Sequence, residues 1–263
     1  MHALELNNGG LYQRSWGKDA LERIRFEGVT ASGGILGRVR RLSLGAGAEK
    51  QAQQDRLMSA ARIGDSMAVF SLLWDREVDV QMQDDKGQTA LHIAAENGQK
   101  FIVECLLNRE ANIEAQGLDD MTALHLSSKE GHEDTVSLLL DRGAGIQTTD
   151  KAGWTALHIS AEEGRRAIAE LLLDRGADIQ TVDKTRRPAL HHSAIAGHRH
   201  IVQLLLDRGA CIQTADKAGW TALHCSKRAG HSGIFQLLFD RGADVQTTDK
   251  DGLAALGCLV EVR

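Results

Sequence analysis

The sequence predicts an all-α solenoid of stacked helix-turn-helix units, and three observations predict it. Thr-Ala-Leu-His recurs at Thr89–His92, Thr122–His125, Thr155–His158 and Thr221–His224, with Pro-Ala-Leu-His at Pro188–His191, so that successive starts lie 33 residues apart. Glycines keep the same step, at Gly98, Gly131, Gly164, Gly197 and Gly230 and again at Gly143, Gly176, Gly209 and Gly242. Between them apolar residues fall at helical spacing, as Ile168, Leu171 and Leu172 do. A fixed period of this length marks a supersecondary unit that cannot bury its apolar side alone and does so by stacking on copies of itself.

The chain divides in order. Residues 1–50 carry no repeat; Asp19–Phe26 has helical character, and Gly33-Gly34, Gly37 and Gly45–Gly47 point to a flexible segment. Arg40-Arg41-Leu42-Ser43 has the form of a basophilic kinase site. Residues 51–83 keep the helix pattern without the phrase, and polar Arg62, Asp65 and Ser66 suit a divergent capping unit whose outer side meets water. Five full units follow at 84–116, 117–149, 150–182, 183–215 and 216–248. Residues 249–263 begin a seventh unit that runs through Leu253-Ala254-Ala255-Leu256-Gly257 and stops after one helix.

Within the unit 150–182, Thr155 stands ahead of a short helix whose first turn has unpaired amides for its hydroxyl to accept from. Leu157, Ile159 and Ala161 supply the apolar side, and small Ser160 and Ala161 allow close approach of a neighbouring helix. Gly164 ends this helix in the left-handed conformation, and Gly176 ends the second. The junction to the next unit reads as an extended turn.

On these residues, D-K-A-G-W-T-A-L-H, the alanines after it, L-L-L-D-R-G-A-D-I-Q and the 33-residue step, the chain resembles the ankyrin-repeat family over about residues 51–263. The resemblance implies paired antiparallel helices with a projecting hairpin-like finger, the histidines of the phrase bracing neighbouring fingers by hydrogen bonds. It also implies a curved stack whose concave side binds other proteins. The chain departs from the family where Ala90, Ala123, Ala156 and Ala222 replace the usual proline. In the fifth unit Pro188 replaces the threonine and Arg186 the finger glycine, so this finger is expected to be the weakest. Glu110 replaces a helix-end glycine and Asp120 a finger glycine.

The net charge of −5 is divided unevenly: residues 1–50 hold +3 and the remainder −8. An acidic array is poorly suited to nucleic acid, whose phosphates require clustered Lys and Arg. No run of about 18 apolar residues points to a membrane span, and no signal-peptide stretch opens the chain; a cytoplasmic or nuclear, non-secreted monomer is expected. Cys105, Cys211, Cys225 and Cys258 follow no metal-site spacing and are expected as buried thiols. His191, His192, His198 and His200 form the densest histidine group but lack a familiar ligand spacing, and no catalytic motif appears. No enzyme activity, metal or cofactor is expected.

Function is expected in recognition of another protein. The position directly ahead of each cap carries Gln88, Met121, Trp154, Arg187, Trp220 and Leu253. Trp and Arg are the usual energetic centres of interfaces, although each indole can instead fold over a neighbouring finger. The ends of the first helices add a second row, Lys129-Glu130, Glu162-Glu163 and Arg228, which sets a charge preference. Met121, Trp154, Arg187, Trp220, Lys129, Glu130, Glu162, Glu163 and Arg228 are thus the candidate binding residues. The alternative is a regulatory or sensor part of a larger signalling protein whose effector domain lies outside this chain. The paired Asp150-Lys151, Asp183-Lys184, Asp216-Lys217 and Asp249-Lys250 are expected to be structural, Asp bonding turn amides and Lys remaining in water.

Overall fold

Short helices punctuated by glycine cannot stand alone in water, and the architecture is the means by which they support one another. A computed structural model describes residues 46–75, 78–252 and 254, with the side chains of 46–49 left aside. Among the described residues there are twelve α-helices. They are α1 (Ala46–Ile63) and α2 (Ser66–Trp74), then the pairs α3 (Ala90–Glu96) and α4 (Lys100–Asn108), α5 (Ala123–Glu130) and α6 (Glu133–Asp141), α7 (Ala156–Glu162) and α8 (Arg166–Asp174), α9 (Ala189–Ala196) and α10 (Arg199–Asp207), and α11 (Ala222–Arg228) and α12 (Ser232–Asp240). First helices pack in sequence, α3 on α5 on α7 on α9 on α11. Second helices form a parallel row from α2 through α12.

The core repeats with the sequence. Leu91, Leu124, Leu157, Leu190 and Leu223 are buried one above another from the first helices, and Leu106, Leu139, Leu172, Leu205 and Leu238 from the second. Each such leucine contributes roughly 2 kcal/mol by leaving water. Ala90, Ala123, Ala156, Ala189 and Ala222 are all buried at the proline position, so the departure to alanine adds to the packing between units. Ser127, Ser160, Ser193 and Ser226 are buried and donate to the carbonyls of Leu124, Leu157, Leu190 and Leu223, which lets a hydroxyl occupy the tight seam. In the unit 117–149, Ser128 and Thr135 are buried without any hydrogen-bond partner, where the adjacent units place Ala95 and Ala161, and Ile102 and Ile168.

Each connection between units is a hairpin turn. The Asp150 amide donates to the Trp154 carbonyl at 2.9 Å and the Gly153 amide to that of Asp150 at 3.0 Å. Where glycine is replaced, Glu110, Asp120 and Arg186 keep the left-handed conformation at φ of 60°, 61° and 67°, and the Asp120 finger differs from the others in that Asp119 is left-handed too, at 56°. A non-glycine residue there is strained by on the order of 1 kcal/mol.

At the capping unit, α1 begins at Ala46, so the division placed at residue 50 falls inside a helix. Asp65 caps α2 by accepting from the Ala68 amide at 3.0 Å. The outward side carries exposed Arg62 and Asp65, and with them exposed Ile63 and Met67, so it is less polar than expected. The proposed helix at Asp19–Phe26, the glycine-rich stretch, the kinase-like tetrapeptide, Cys258 and the helix of the seventh unit lie outside the described residues.

Candidate protein-binding surface

The fingers are fixed from within by the histidine of the phrase. In the third full unit, Nδ1 of His158 accepts from the Thr155 amide at 3.1 Å and lies 2.9 Å from its hydroxyl, completing a capping box. An accepting Nδ1 puts the proton on Nε2, which donates to the Arg187 carbonyl of the next finger at 3.2 Å. His92 reaches Met121 and His191 reaches Trp220 in the same way, whereas His125 bonds the Thr148 carbonyl just ahead of the next finger. This bracing is what the resemblance implied. Burial disfavours the charged ring and pushes His92 and His125 below their ordinary value, and His158 and His191 down to about 4.

The finger aspartate is a two-sided connector. Oδ1 of Asp216 accepts from the amides of Ala218 and Trp220, closing its own turn. Its Oδ2 accepts from Nε of Arg187 in the preceding unit at 2.8 Å. Asp249 repeats this arrangement, with Oδ2 accepting from the Trp220 indole at 3.1 Å. Backbone bonds run alongside: the amides of Lys151, Lys184, Lys217 and Lys250 donate to the carbonyls of Asp119, Ala152, Thr185 and Ala218 in the finger before. The aspartates are structural as expected. Lys184 is not simply solvated, since its Nζ donates to the Lys151 carbonyl at 2.6 Å.

One unit breaks the pattern. His192 stands where the other units place Ile93, Leu126, Ile159 and Cys225, and it is buried. Its Nε2 bonds Oδ2 of Asp183 at 3.0 Å, its Nδ1 lies 3.6 Å from Oε2 of Glu162, and its ring packs tilted, at 58°, against that of Trp154 with centroids 4.3 Å apart. Burial pulls the His192 ring down, but Asp183 and Glu162 outweigh it and hold the ring above its ordinary value. Burial likewise raises Asp183, but bonds from His192, the Arg187 amide and Thr185 overcome it and hold the carboxyl far below the usual range. The finger expected to be weakest is therefore tied at Asp183 to Thr185, Arg187 and His192. The sequence signal for this cluster was a histidine interrupting an apolar register.

A second set of links closes the first helices. The residues after Gly131, Gly164, Gly197 and Gly230 reach back one unit: His132 donates to the Glu96 carbonyl, Arg165 to Lys129, His198 to Glu162 and His231 to Ile195. His198 is thus committed to a carbonyl. Among the described residues no three His, Cys, Asp or Glu side chains converge on a point that could hold a metal. On the far side, Arg175, Arg208 and Arg241 pair with Asp141, Asp174 and Asp207 of the unit before; such exposed pairs are worth little singly.

The candidate residues divide by exposure. Met121, Trp154, Arg187 and Trp220 are half-buried along the finger row, and Glu162 is half-buried against His192. Lys129, Glu130, Glu163 and Arg228 are exposed. The Arg228 guanidinium lies 4.7 Å over the Trp220 ring, and the Lys227 ammonium 5.0 Å over that of Phe235. Of the cysteines, Cys225 is buried and Cys105 half-buried, whereas Cys211 is exposed, contrary to expectation, because it opens an irregular segment outside the core.

Matches to the family described as ankyrin repeats in three copies cover residues 57–150, 110–183 and 176–249. The chain belongs to the ankyrin-repeat family. The ankyrin repeat domain of Bcl-3, a member of the IkappaB protein family, is similar to it with a TM-score of 0.69 and 28% identity, over 77% of this chain and 92% of that one. A stretch of 60 residues is 42% identical to part of the palmitoyltransferase AKR1 of Gibberella zeae, spanning 21% of this chain and 8% of that protein's length. Ankyrin repeats are in general protein-interaction modules and typically non-catalytic. Among the described residues no helix is long and apolar enough to cross a membrane.

Proposed function

We propose that this ankyrin-repeat chain recognises a partner protein, without catalysis, through the concave face formed by its fingers and first helices. The observation that carries this reading is the cross-bonding of the fingers, by histidine, aspartate and backbone, from one unit to the next. A surface ordered before the partner arrives loses little conformational freedom on binding. Within it Trp154, Arg187 and Trp220 hold the frame and offer their exposed edges, and Met121 lines the same row. Lys129, Glu130, Glu163 and Arg228 make the charged contacts, with Glu162 half-buried beside His192.

Affinity capture with the full chain, compared with Glu130→Lys/Glu163→Lys and with Arg228→Glu, tests this reading once circular dichroism has shown equal folding. A partner held by the wild type and lost by a charge reversal is the expected result. A partner held equally by all three chains would move recognition off this face. A second reading, that the repeats serve as a sensor within a larger protein, draws support from the palmitoyltransferase, of which the similar stretch is a small part.

A further inference from the structure

The C-terminal finger tips carry exposed cations that no carboxylate bonds. Arg186, Lys217 and Lys250 are exposed, and their side chains make no hydrogen bond or ion pair among the described residues. Asp216 and Asp249, which precede Lys217 and Lys250, face inward, their oxygens held by turn amides and by Arg187 and Trp220; Asp251 follows Lys250 and is exposed without an ion pair to it. The charge is graded along the row: Lys151 lies 4.0 Å from Asp119, and Lys184 is bonded to a carbonyl. From the unit 183–215 onward Arg186, Lys217 and Lys250 follow one another without a bonded carboxylate, as exposed Lys86 also stands on the finger of the first full unit.

Arg186 adds an independent sign. It holds a left-handed φ of 67° where the flanking units use Gly153 and Gly219. At those glycines a Cβ would stand 2.9 Å from the Lys184 amide nitrogen and 3.1 Å from that of Lys250. A long exposed cation in a strained left-handed position, its side chain unbonded, is an outlier that suggests a use outside the fold. The Lys217 amide bonds the Thr185 carbonyl, which sets Arg186 and Lys217 on adjoining tips.

We propose that Arg186, Lys217 and Lys250 form a docking row for an acidic, extended peptide segment of the partner protein. This rests on the recognition role above and names the chemistry of its ligand. Equivalent finger residues repeat at the spacing of packed helices, about 8–10 Å. A polyproline II segment turns every three residues and rises about 9 Å per turn, so carboxylates at every third position fall on one face in register with Lys217 and Lys250. An uninterrupted polyanion fits less well, because nucleic acid cannot omit its phosphates where exposed Asp251 adjoins Lys250.

Fluorescence anisotropy on the full chain tests the row. The probe is a labelled peptide of repeated Glu-Pro-Pro, set against a peptide of the same composition with its glutamates in one block. The regular peptide should bind, more weakly as salt is raised, with the block peptide several-fold weaker. The variant Arg186→Gly/Lys217→Ala/Lys250→Ala should lose on the order of tenfold or more in affinity, as expected for three exposed ion pairs. Arg186→Gly alone keeps the test readable, since it relieves strain and should weaken binding while the fold is retained. Absence of binding, equal binding of both peptides, retention by the triple variant, or tighter binding of an oligonucleotide or of anionic vesicles would overturn the proposal. If a captured partner is lost on reversing Glu163 yet kept by the triple variant, recognition stands and the acidic-peptide row falls.

Discussion

Pro188 leaves His191 half-bonded. The ring donates from Nε2 to the Trp220 carbonyl at 2.9 Å, but its buried Nδ1 has no partner. In the other units that nitrogen accepts from a threonine amide and meets its hydroxyl, and proline offers neither group. Pro188→Thr should restore the capping box and stabilise the chain by about 1 kcal/mol. In thermal melts this appears as a rise of about 2–4 °C for an array of this size.

Two orphan hydroxyls in the unit 117–149 invite the same treatment. Thr135→Ile copies Ile102 and Ile168, and Ser128→Ala copies Ala95 and Ala161. Each should raise stability by about 1 kcal/mol by removing an unpaired buried group, measured by urea denaturation. A loss of stability would mean that these hydroxyls are satisfied in solution.

Backbone strain gives a third measurement. Glu110→Gly and Arg186→Gly replace residues at φ 60° and 67° and should each stabilise by about 0.5–1 kcal/mol. Asp120→Gly should gain less, since aspartate tolerates the left-handed region better than most residues. Equal or falling urea midpoints would count against strain at these positions.

Much of this was legible beforehand. The step of 33 anticipated five successive helix pairs, and the glycines anticipated the helix ends, because stacking repeats the same demands along the array. The seams were not legible. Nothing in Asp-Lys-Ala-Gly-Trp says that the indole bonds the next finger's Asp249, since that partner is set by three-dimensional register. The Trp154 ring rests on His192 because His192 has already taken Oδ2 of Asp183. The early start of α1 at Ala46 was hidden by the glycines at 45 and 47, which elsewhere in the chain mark turns.

Protonation should act with opposite signs in neighbouring side chains. His92, His125, His158 and His191 lie below their ordinary value when folded, so between about pH 4 and 6.5 the unfolded chain binds more protons and stability rises with pH. His192 lies above its ordinary value. Its contribution is fully present below about 6.5 and is lost as pH climbs through the folded value. Melting temperature should therefore climb to near neutrality and then ease downward. His192→Ile should remove the downward limb, and it frees Oδ2 of Asp183 for the Trp154 indole. A downward limb that survives in this variant would assign it to another group.

Thiol chemistry should separate the three described cysteines. A bond from Thr214, ahead of one from the Gln213 amide, lowers the exposed Cys211 thiol. Burial raises Cys105 to about 11 and Cys225 to about 12. Iodoacetamide should label Cys211 first, Cys105 slowly and Cys225 only on unfolding, as read by peptide mass spectrometry. Early labelling of Cys225 would show that the seam between α9 and α11 opens.

The Oδ2 links make Asp216 and Asp249 depend on Arg187 and Trp220 of the unit upstream. Excising residues 183–215 would bring Trp154 against Asp216, and an indole already serves Asp249 in that role, so the shortened chain inherits a working donor. Moving the same block to the front of the array would strip His192 of Glu162 and Trp154 and leave a buried ring beside Asp183 alone. Descent by duplication and loss can therefore shorten this chain more readily than it can reorder it, and recombinant arrays assembled from its units should survive or fail according to which aspartate each junction leaves without a donor.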